Sequence, residues 1–193
     1  MEYYDLKLLG LVRKLPLVSI SPKIKIASFN LLGDVELVEK IADEFCQRLK
    51  NVDFDFLVGP EVKVVPLIQS LSGKLGKARY IVLRKNIMGY MVSPLTSNSQ
   101  PKLVLNGSDA ELLTGKKVVI IDDVVSTGRT LKVLYELASE LGAEIVGAYA
   151  VLKQGTEPLS DEVKDLVFLG NLPLFKNDEW SRHPEVHEPK DLT

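Results

Sequence analysis

The sequence predicts an α/β fold built on a doubly wound, mostly parallel sheet, and three observations point there. Short apolar runs alternate with amphipathic helical stretches from Lys23 onward. One run, Val118 to Ile121, is apolar at every position, as a strand covered on both faces must be. Charged groups close three of the runs, at Gly59-Pro60-Glu61, Arg84-Lys85 and Asp122-Asp123, and the C-terminal strand ends are where such sheets hold ligands.

Taken in order, Lys23 to Phe29 (KIKIASF) alternates polar and apolar residues, a strand with one wet face. Gly33-Asp34 stops it, and Asp34 is a natural N-cap. Val35 to Lys50 then reads as a helix, with Val38, Ile41, Ala42, Phe45 and Leu49 on one face. Phe54 to Val58 is a strand ending at Gly59-Pro60, and Val64 to Leu75 a helix whose Pro66 is tolerable because it lies in the first turn. Gly76 closes that helix before the strand Tyr80 to Leu83. Gly89 to Ser108 is rich in Ser, Pro, Asn and Thr and reads as a long polar loop, with Lys102 to Leu105 a short returning strand. After the turn Thr114-Gly115 come the strand Val118 to Ile121 and a helix from about Gly128 to Leu141. Its inner face is Leu131, Leu134, Leu137, Ala138 and Leu141, and Gly142 is its C-cap. Ile145 to Leu152 and Leu166 to Leu169 are the last strands.

The totals bound the function. A chain of 193 residues reads as one domain, burying roughly two-thirds of its unfolded surface. A hydrophobic content of 46% with 26% charged residues is globular, and a net charge of −2 gives no electrostatic case for nucleic acid as a partner. No apolar run approaches the length of a membrane-spanning helix, MEYYDLKLLG lacks the basic start of a signal peptide, and the lone Cys46 cannot form an internal disulfide. Together these lead to the cytoplasm as the expected location. Cys46 falls on the apolar side of its helix and reads as a small buried hydrophobe.

The stretch Val118 to Thr130, VVIIDDVVSTGRT, carries the chemistry. The strand lifts Asp122 and Asp123 to the sheet rim. Alternation points them to opposite faces, but a turn beginning there would aim both carboxylates at one ligand. Carboxylates only accept hydrogen bonds, which suits paired hydroxyl donors such as a ribose diol. Val125, Ser126, Thr127, Gly128, Arg129 and Thr130 lead into a helix N-terminus, where unpaired N–H groups and the helix dipole favour an anion. Neither a P-loop nor a Rossmann glycine fingerprint is present.

Apolar strand, acidic pair and Ser-Thr-Gly-x-Thr loop together resemble the phosphoribosyl pyrophosphate (PRPP) motif of the type I phosphoribosyltransferases, while Glu61-x-Lys63 and Arg84-Lys85 are similar to the Glu-x-Arg and Arg-Lys of the adenine phosphoribosyltransferase-like purine enzymes. The resemblance extends more weakly over roughly Phe54 to Leu152. It implies that Asp122 and Asp123 hold the ribose hydroxyls of PRPP and that Val125 to Thr130 cradle its 5-phosphate. Glu61, Val62 and Lys63 take the place of the family's pyrophosphate loop, and Arg84-Lys85 resembles its Arg-Lys pair facing the pyrophosphate. It also implies Mg²⁺ held mainly by PRPP oxygens and waters, with Asp122 a candidate protein ligand, and a homodimer as the assembly. The implied layout is a single domain over 1–193: a core at about 30–155, a hood from 1–29 and 156–193, and a flexible lid at about 89–108. Phe175 or Trp180, in FLGNLPLFKNDEW, are the candidates to stack on a purine base, with sealing of the core edge their alternative role.

The implied reaction is transfer of the phosphoribosyl group from PRPP to a purine, with adenine the first expectation and a non-catalytic PRPP-sensing regulatory module the alternative. Ser126 departs from both branches, since hypoxanthine-guanine enzymes carry Asp there and adenine enzymes usually Ala. SPLTSNSQPK lacks the Glu-Tyr-Gly of adenine lids. Lys63 in place of Arg keeps the charge but loses the bidentate fork. A sensor would bring a DNA-binding extension or basic face, and the 22 residues before Lys23 show neither. The segment His183-Pro184-Glu185-Val186-His187 reads as a solvated tail rather than a zinc site.

Overall fold

The structure, a computed structural model, describes residues 2–177 and 179–187. Three strands come first: β1 (Tyr3–Leu8), β2 (Leu11–Ser21) and β3 (Ile24–Ala27). The alternating core then runs α1 (Val35–Leu49), β4 (Phe56–Pro60), α2 (Val65–Lys74) and β5 (Ile81–Leu83). A small hairpin of β6 (Leu95–Thr96) and β7 (Val104–Leu105) and the short helix α3 (Gly107–Leu113) lead into β8 (Lys117–Val125), α4 (Arg129–Glu140) and β9 (Glu144–Gln154). The chain finishes with β10 (Val167–Leu172), β11 (Leu174–Lys176) and β12 (Val186–His187).

The central sheet is five-stranded and parallel, in the order β10-β9-β8-β4-β5. Strand alternation along β8 divides the core in two. Val119 and Ile121 pack with α1 and α2, whose buried residues include Ile41, Phe45, Leu67 and Ile68. Val118 and Ile120 pack instead with Leu131, Val133, Leu134 and Leu137 of α4. The sheet is therefore doubly wound, as the alternating sequence pattern predicts.

A second sheet, β11-β3-β2-β1-β12, draws its strands from both ends of the chain and shares the α1–α2 side of the core. Arg13 of β2 fastens it there: Nε donates to Asp34 Oδ2 at 2.6 Å and Nη2 to Oδ1 at 3.0 Å and to Glu36 at 2.7 Å. Asp34 is the N-cap of α1, accepting from the Leu37 N–H at 3.1 Å. The Arg13 hydrogen bond pulls its carboxyl below the usual range.

Several elements differ from the sequence-based expectation. β1 and β2 were not expected, although Tyr4, Leu6 and Leu8 are buried alternately. Their connection, Leu9-Gly10, has both residues at positive φ (50° and 79°), the geometry of a tight hairpin turn, and leucine there hides the usual Asn-Gly signal. β8 does not turn at Asp122 but runs on to Val125, because β9 pairs with it as far as Lys153. β4 starts later than expected and carries Gly59-Pro60 inside it. α3 was not expected either, and the segment 183–187 is not a solvated tail: Val186 pairs with Tyr4 of β1, and the His183 ring packs edge-on against Tyr4 at 5.5 Å and Phe175 at 5.4 Å. Within 89–108, Leu103 to Leu105 are buried and Ser97 Oγ accepts from the Leu103 N–H at 2.9 Å, so this part is packed rather than loose.

Candidate active site

The strand order sets the spatial order of the rim. From one edge to the other run Leu172 (β10), Gln154 (β9), Asp123 and Ser126 (β8 and the loop after it), Glu61 and Lys63 (after β4), and Lys85 (after β5). These residues line one open cleft of about 340 Å³, roofed by Ile26 to Phe29 where the chain leaves β3. The rim is therefore neutral on the β9–β10 side and charged on the β4–β5 side.

Asp122 and Asp123 stand on an unbroken strand and line different hollows. Asp123, partly exposed, faces the cleft, where Lys63 Nζ lies 3.9 Å from its Oδ2 and donates to the Phe29 carbonyl at 2.9 Å. Asp122 is 5% exposed, and its Oδ1 accepts from the Asp123 N–H at 2.8 Å. Burial, and next the neighbouring Asp123 charge, push its carboxyl well above the usual range.

Asp122 borders a second recess of about 150 Å³, formed with Val124, Val125, Ser126, Thr127, Gly128, Arg129, Thr130 and Leu131. The recess sits at the N-terminus of the twelve-residue helix α4. Gly128 holds the N-cap position at φ 77°, and no side chain caps the helix. The first N–H groups of α4 are thus left for a ligand, and no acidic side chain in the first turn opposes an anion. Val124 and Ser126 line both the recess and the cleft, so one extended ligand can occupy both.

On the charged side, Glu61 is committed within the protein. Its Oε1 accepts from the Lys85 N–H at 2.6 Å, and its Oε2 lies 2.5 Å from Arg84 Nε as an ion pair without hydrogen-bond alignment. Arg84 does not line the cleft; its backbone is bridged to Val104 by bonds of 2.8 and 2.7 Å. Lys85 does line it, and among the described residues it makes no ion pair.

Of the sequence-predicted residues, Glu61, Val62, Lys63, Lys85, Asp123 and Ser126 come together in the cleft, while Asp122 and the Val125–Thr130 loop form the recess. Phe175 does not present a stacking face. At 2% exposure it is a core residue, edge-on to Tyr4 at 6.1 Å, which is the sealing role given as its alternative. Trp180 carries the Lys25 ammonium over its ring at 4.1 Å and does not line the cleft. No residue of 89–108 lines it either. The sequence reading passed over Ile26 to Phe29, Gln154 and Leu172. The end of β9 followed the same strand-end rule as the other three, but its uncharged side chain gave no signal.

A resident metal has little to hold it: among the described residues no group of three or more His, Cys, Asp or Glu side chains is placed to bind one. Asp122 is buried away from the cleft, whereas Asp123 lines it and suits a hard cation that arrives with most of its oxygen ligands supplied by a polyphosphate.

Comparison with known proteins gives three kinds of match. The sequence profile described as "Phosphoribosyl transferase domain" matches residues 32–188. Adenine phosphoribosyltransferase of Thermosipho africanus is 31% identical over 142 residues, covering 70% of this chain and 80% of that protein. Hypoxanthine/guanine phosphoribosyltransferase of Methanosarcina acetivorans is 34% identical over 125 residues, covering 63% of this chain and 64% of that one. Among solved structures, adenine phosphoribosyltransferase of Thermoanaerobacter pseudethanolicus superimposes with a TM-score of 0.66 at 22% identity, over 81% of this chain and 95% of that one. The Trypanosoma brucei adenine phosphoribosyltransferase, solved with AMP, pyrophosphate and ribose-5-phosphate, gives 0.62 at 20% identity, over 81% and 76%. The last two establish the shared fold.

Proposed function

Because the chain belongs to the phosphoribosyltransferase family, we propose that it transfers the 5-phosphoribosyl group from PRPP to a purine base, releasing pyrophosphate, with adenine the first candidate. The observation that carries this reading is the order of the rim: neutral side, carboxylate, cationic side, with an uncapped helix N-terminus opening beside the carboxylate.

That order matches the bonds made and broken. The 5-phosphate sits in the recess on the N–H groups of α4 and the hydroxyls of Ser126, Thr127 and Thr130, beside Arg129. The ribose lies where recess and cleft meet, its hydroxyls donating to Asp123 from the cleft side and to Asp122 from the recess side. Burial and the Asp123 charge favour the protonated form of Asp122, which lessens repulsion of Asp123 and of the adjoining phosphate. The pyrophosphate extends toward Lys63 and Lys85, with Val62 in the loop that bounds it and Glu61 and Arg84 buttressing that loop from behind. The base enters from the opposite, β9–β10 side. Its ring nitrogen bonds to the anomeric carbon as the carbon–oxygen bond to pyrophosphate breaks and the oxygen takes the electron pair, and the proton of the base's imidazole ring passes to the departing pyrophosphate or to water. The transition state resembles an oxocarbenium ion, so Asp123 and the two lysines act where charge develops. Mg²⁺ bound to the pyrophosphate oxygens would supply further positive charge to the leaving group.

Tyr90 and Val92, both exposed, lie in the segment that follows Lys85, and we assign to the exposed part of the expected lid at about 89–108, outside the packed Ser97 and Leu103 to Leu105, the role of closing over the cleft and excluding water, which would otherwise compete for the anomeric carbon. The hood corresponds in this reading to the second sheet, the assembly is a homodimer and the location the cytoplasm. No helix among the described residues is long and apolar enough to cross a membrane. The deciding experiment incubates the protein with PRPP, Mg²⁺ and, in turn, adenine, hypoxanthine, guanine, xanthine and orotate, following pyrophosphate release. Turnover with a purine is expected. Tight PRPP binding with no turnover on any base would instead favour the sensing module.

A further inference from the structure

Resting on the phosphoribosyl-transfer reading above, we propose that the Gln154 carboxamide reads the 6-substituent of the base and, able to donate and to accept, admits both 6-amino and 6-oxo purines. Gln154 is the last residue of β9 and lines the cleft beside Leu172 and Val124, on the side of Asp123 away from Lys63 and Lys85. Among the described residues its carboxamide has no hydrogen-bond partner, leaving an amide N–H₂ and an oxygen for a ligand.

The backbone around it is spoken for. Lys153 is 6% exposed and folds its ammonium back onto the Gln154 carbonyl at 2.9 Å and the Gly155 carbonyl at 3.4 Å. The Gly155 N–H donates to the Leu172 carbonyl at 2.9 Å. On the roof, the Ser28 and Phe29 N–H groups donate to Pro16 and Ala27, and the Phe29 carbonyl accepts from Lys63. The other neutral polar side chain lining the cleft, Ser28, belongs to the roof and not to the strand-end rim. On the neutral side the Gln154 carboxamide is thus the polar group left to read a base edge. The Lys153 bonds make its mount rigid, and the surrounding Ile26, Val124 and Leu172 are apolar, as base pockets are.

A 6-amino group donates and a 6-oxo group accepts, so a side chain with both functions can serve either by rotating its amide. Removing one function must tilt the preference. Gln154→Glu, an acceptor only, is expected to raise the ratio of kcat/KM for adenine over hypoxanthine by about tenfold, the effect of one charge-assisted hydrogen bond gained or lost. Gln154→Lys, a donor only, is expected to lower that ratio by a similar factor. Gln154→Met, of similar length and without either function, should lower kcat/KM for both bases alike. In all three the KM for PRPP should stay within about twofold of wild type, since the PRPP contacts are elsewhere on the rim. A ratio that does not move, or moves the same way in the Glu and Lys variants, overturns the assignment while leaving the reaction intact. A wild type that turns over no purine overturns the reaction and this assignment with it.

Discussion

Replacing Gly128 by alanine tests the recess at its most constrained point. Gly128 sits at φ 77°, where an L-residue costs roughly 1–2 kcal/mol. A Cβ there would stand 2.9 Å from Val163 Cγ2 and 3.4 Å from Leu159 Cδ2. Val163 is 1% exposed and cannot swing out to solvent, so the chain around it must shift, an overpacking cost of about 1–3 kcal/mol. The sum is about 2–5 kcal/mol, or roughly 4–20 °C in Tm for a chain of this size. Gly142 supplies the control. It has a similar φ of 66° just beyond the other end of α4, but a Cβ there meets nothing within 4 Å. Gly142→Ala should therefore show only the backbone cost, roughly 2–8 °C. Thermal melts followed by circular dichroism compare the two variants directly, and titration calorimetry with PRPP should show weakened binding for Gly128→Ala alone. If Gly128→Ala melts no lower than Gly142→Ala, the contact with Val163 contributes nothing and the account of the recess fails.

Asp123→Ala should cut PRPP affinity by about 100-fold or more, the loss of hydrogen bonds to a charged acceptor, with little change in Tm because its one ion-pair contact is a long 3.9 Å approach; calorimetry showing unchanged affinity would remove Asp123 from the ribose site. Asp122 should make stability fall as pH rises. Its carboxyl is raised in the folded state, so the native chain holds a proton the unfolded chain gives up, a contribution complete below the usual carboxylate range and lost as pH climbs through the raised folded value. Asp122→Asn cannot ionise, so its Tm relative to wild type should increase between pH 4 and 8, and a flat difference would mean the carboxyl is not held neutral. Lys63→Met should raise the KM for PRPP by about tenfold, and a KM within twofold of wild type would separate this lysine from the pyrophosphate.

How much was legible in advance depended on whether a residue's neighbours in sequence are also its neighbours in space. α1 and α4 carry their caps and apolar faces locally, and both appeared where the periodicity put them. The recess was legible for the same reason, since one continuous stretch builds it. The split between Asp122 and Asp123 was not, because only the pairing of β8 with β9 keeps the strand extended past them. Phe175 looked available because its burial depends on Tyr4, more than 170 positions away along the chain. Gln154 and the roof at Ile26 to Phe29 enter the cleft only through tertiary arrangement.

The second sheet has a consequence for the order in which the molecule is made. β3, whose exit forms the roof of the cleft, is paired on one side by β2 and on the other by β11, and β1 is paired by β12. The ribosome delivers β1 to β3 before the parallel sheet, yet β11 and β12, which pair with the outer edges of β3 and β1, emerge only after that sheet has been synthesised. A nascent chain can therefore assemble the recess at the start of α4 while the roof of the neighbouring cleft still has an open edge. The cleft gains its final outline only when residues 174–187 leave the exit tunnel and dock. Catalytic competence would then act as a built-in report that translation has passed this point.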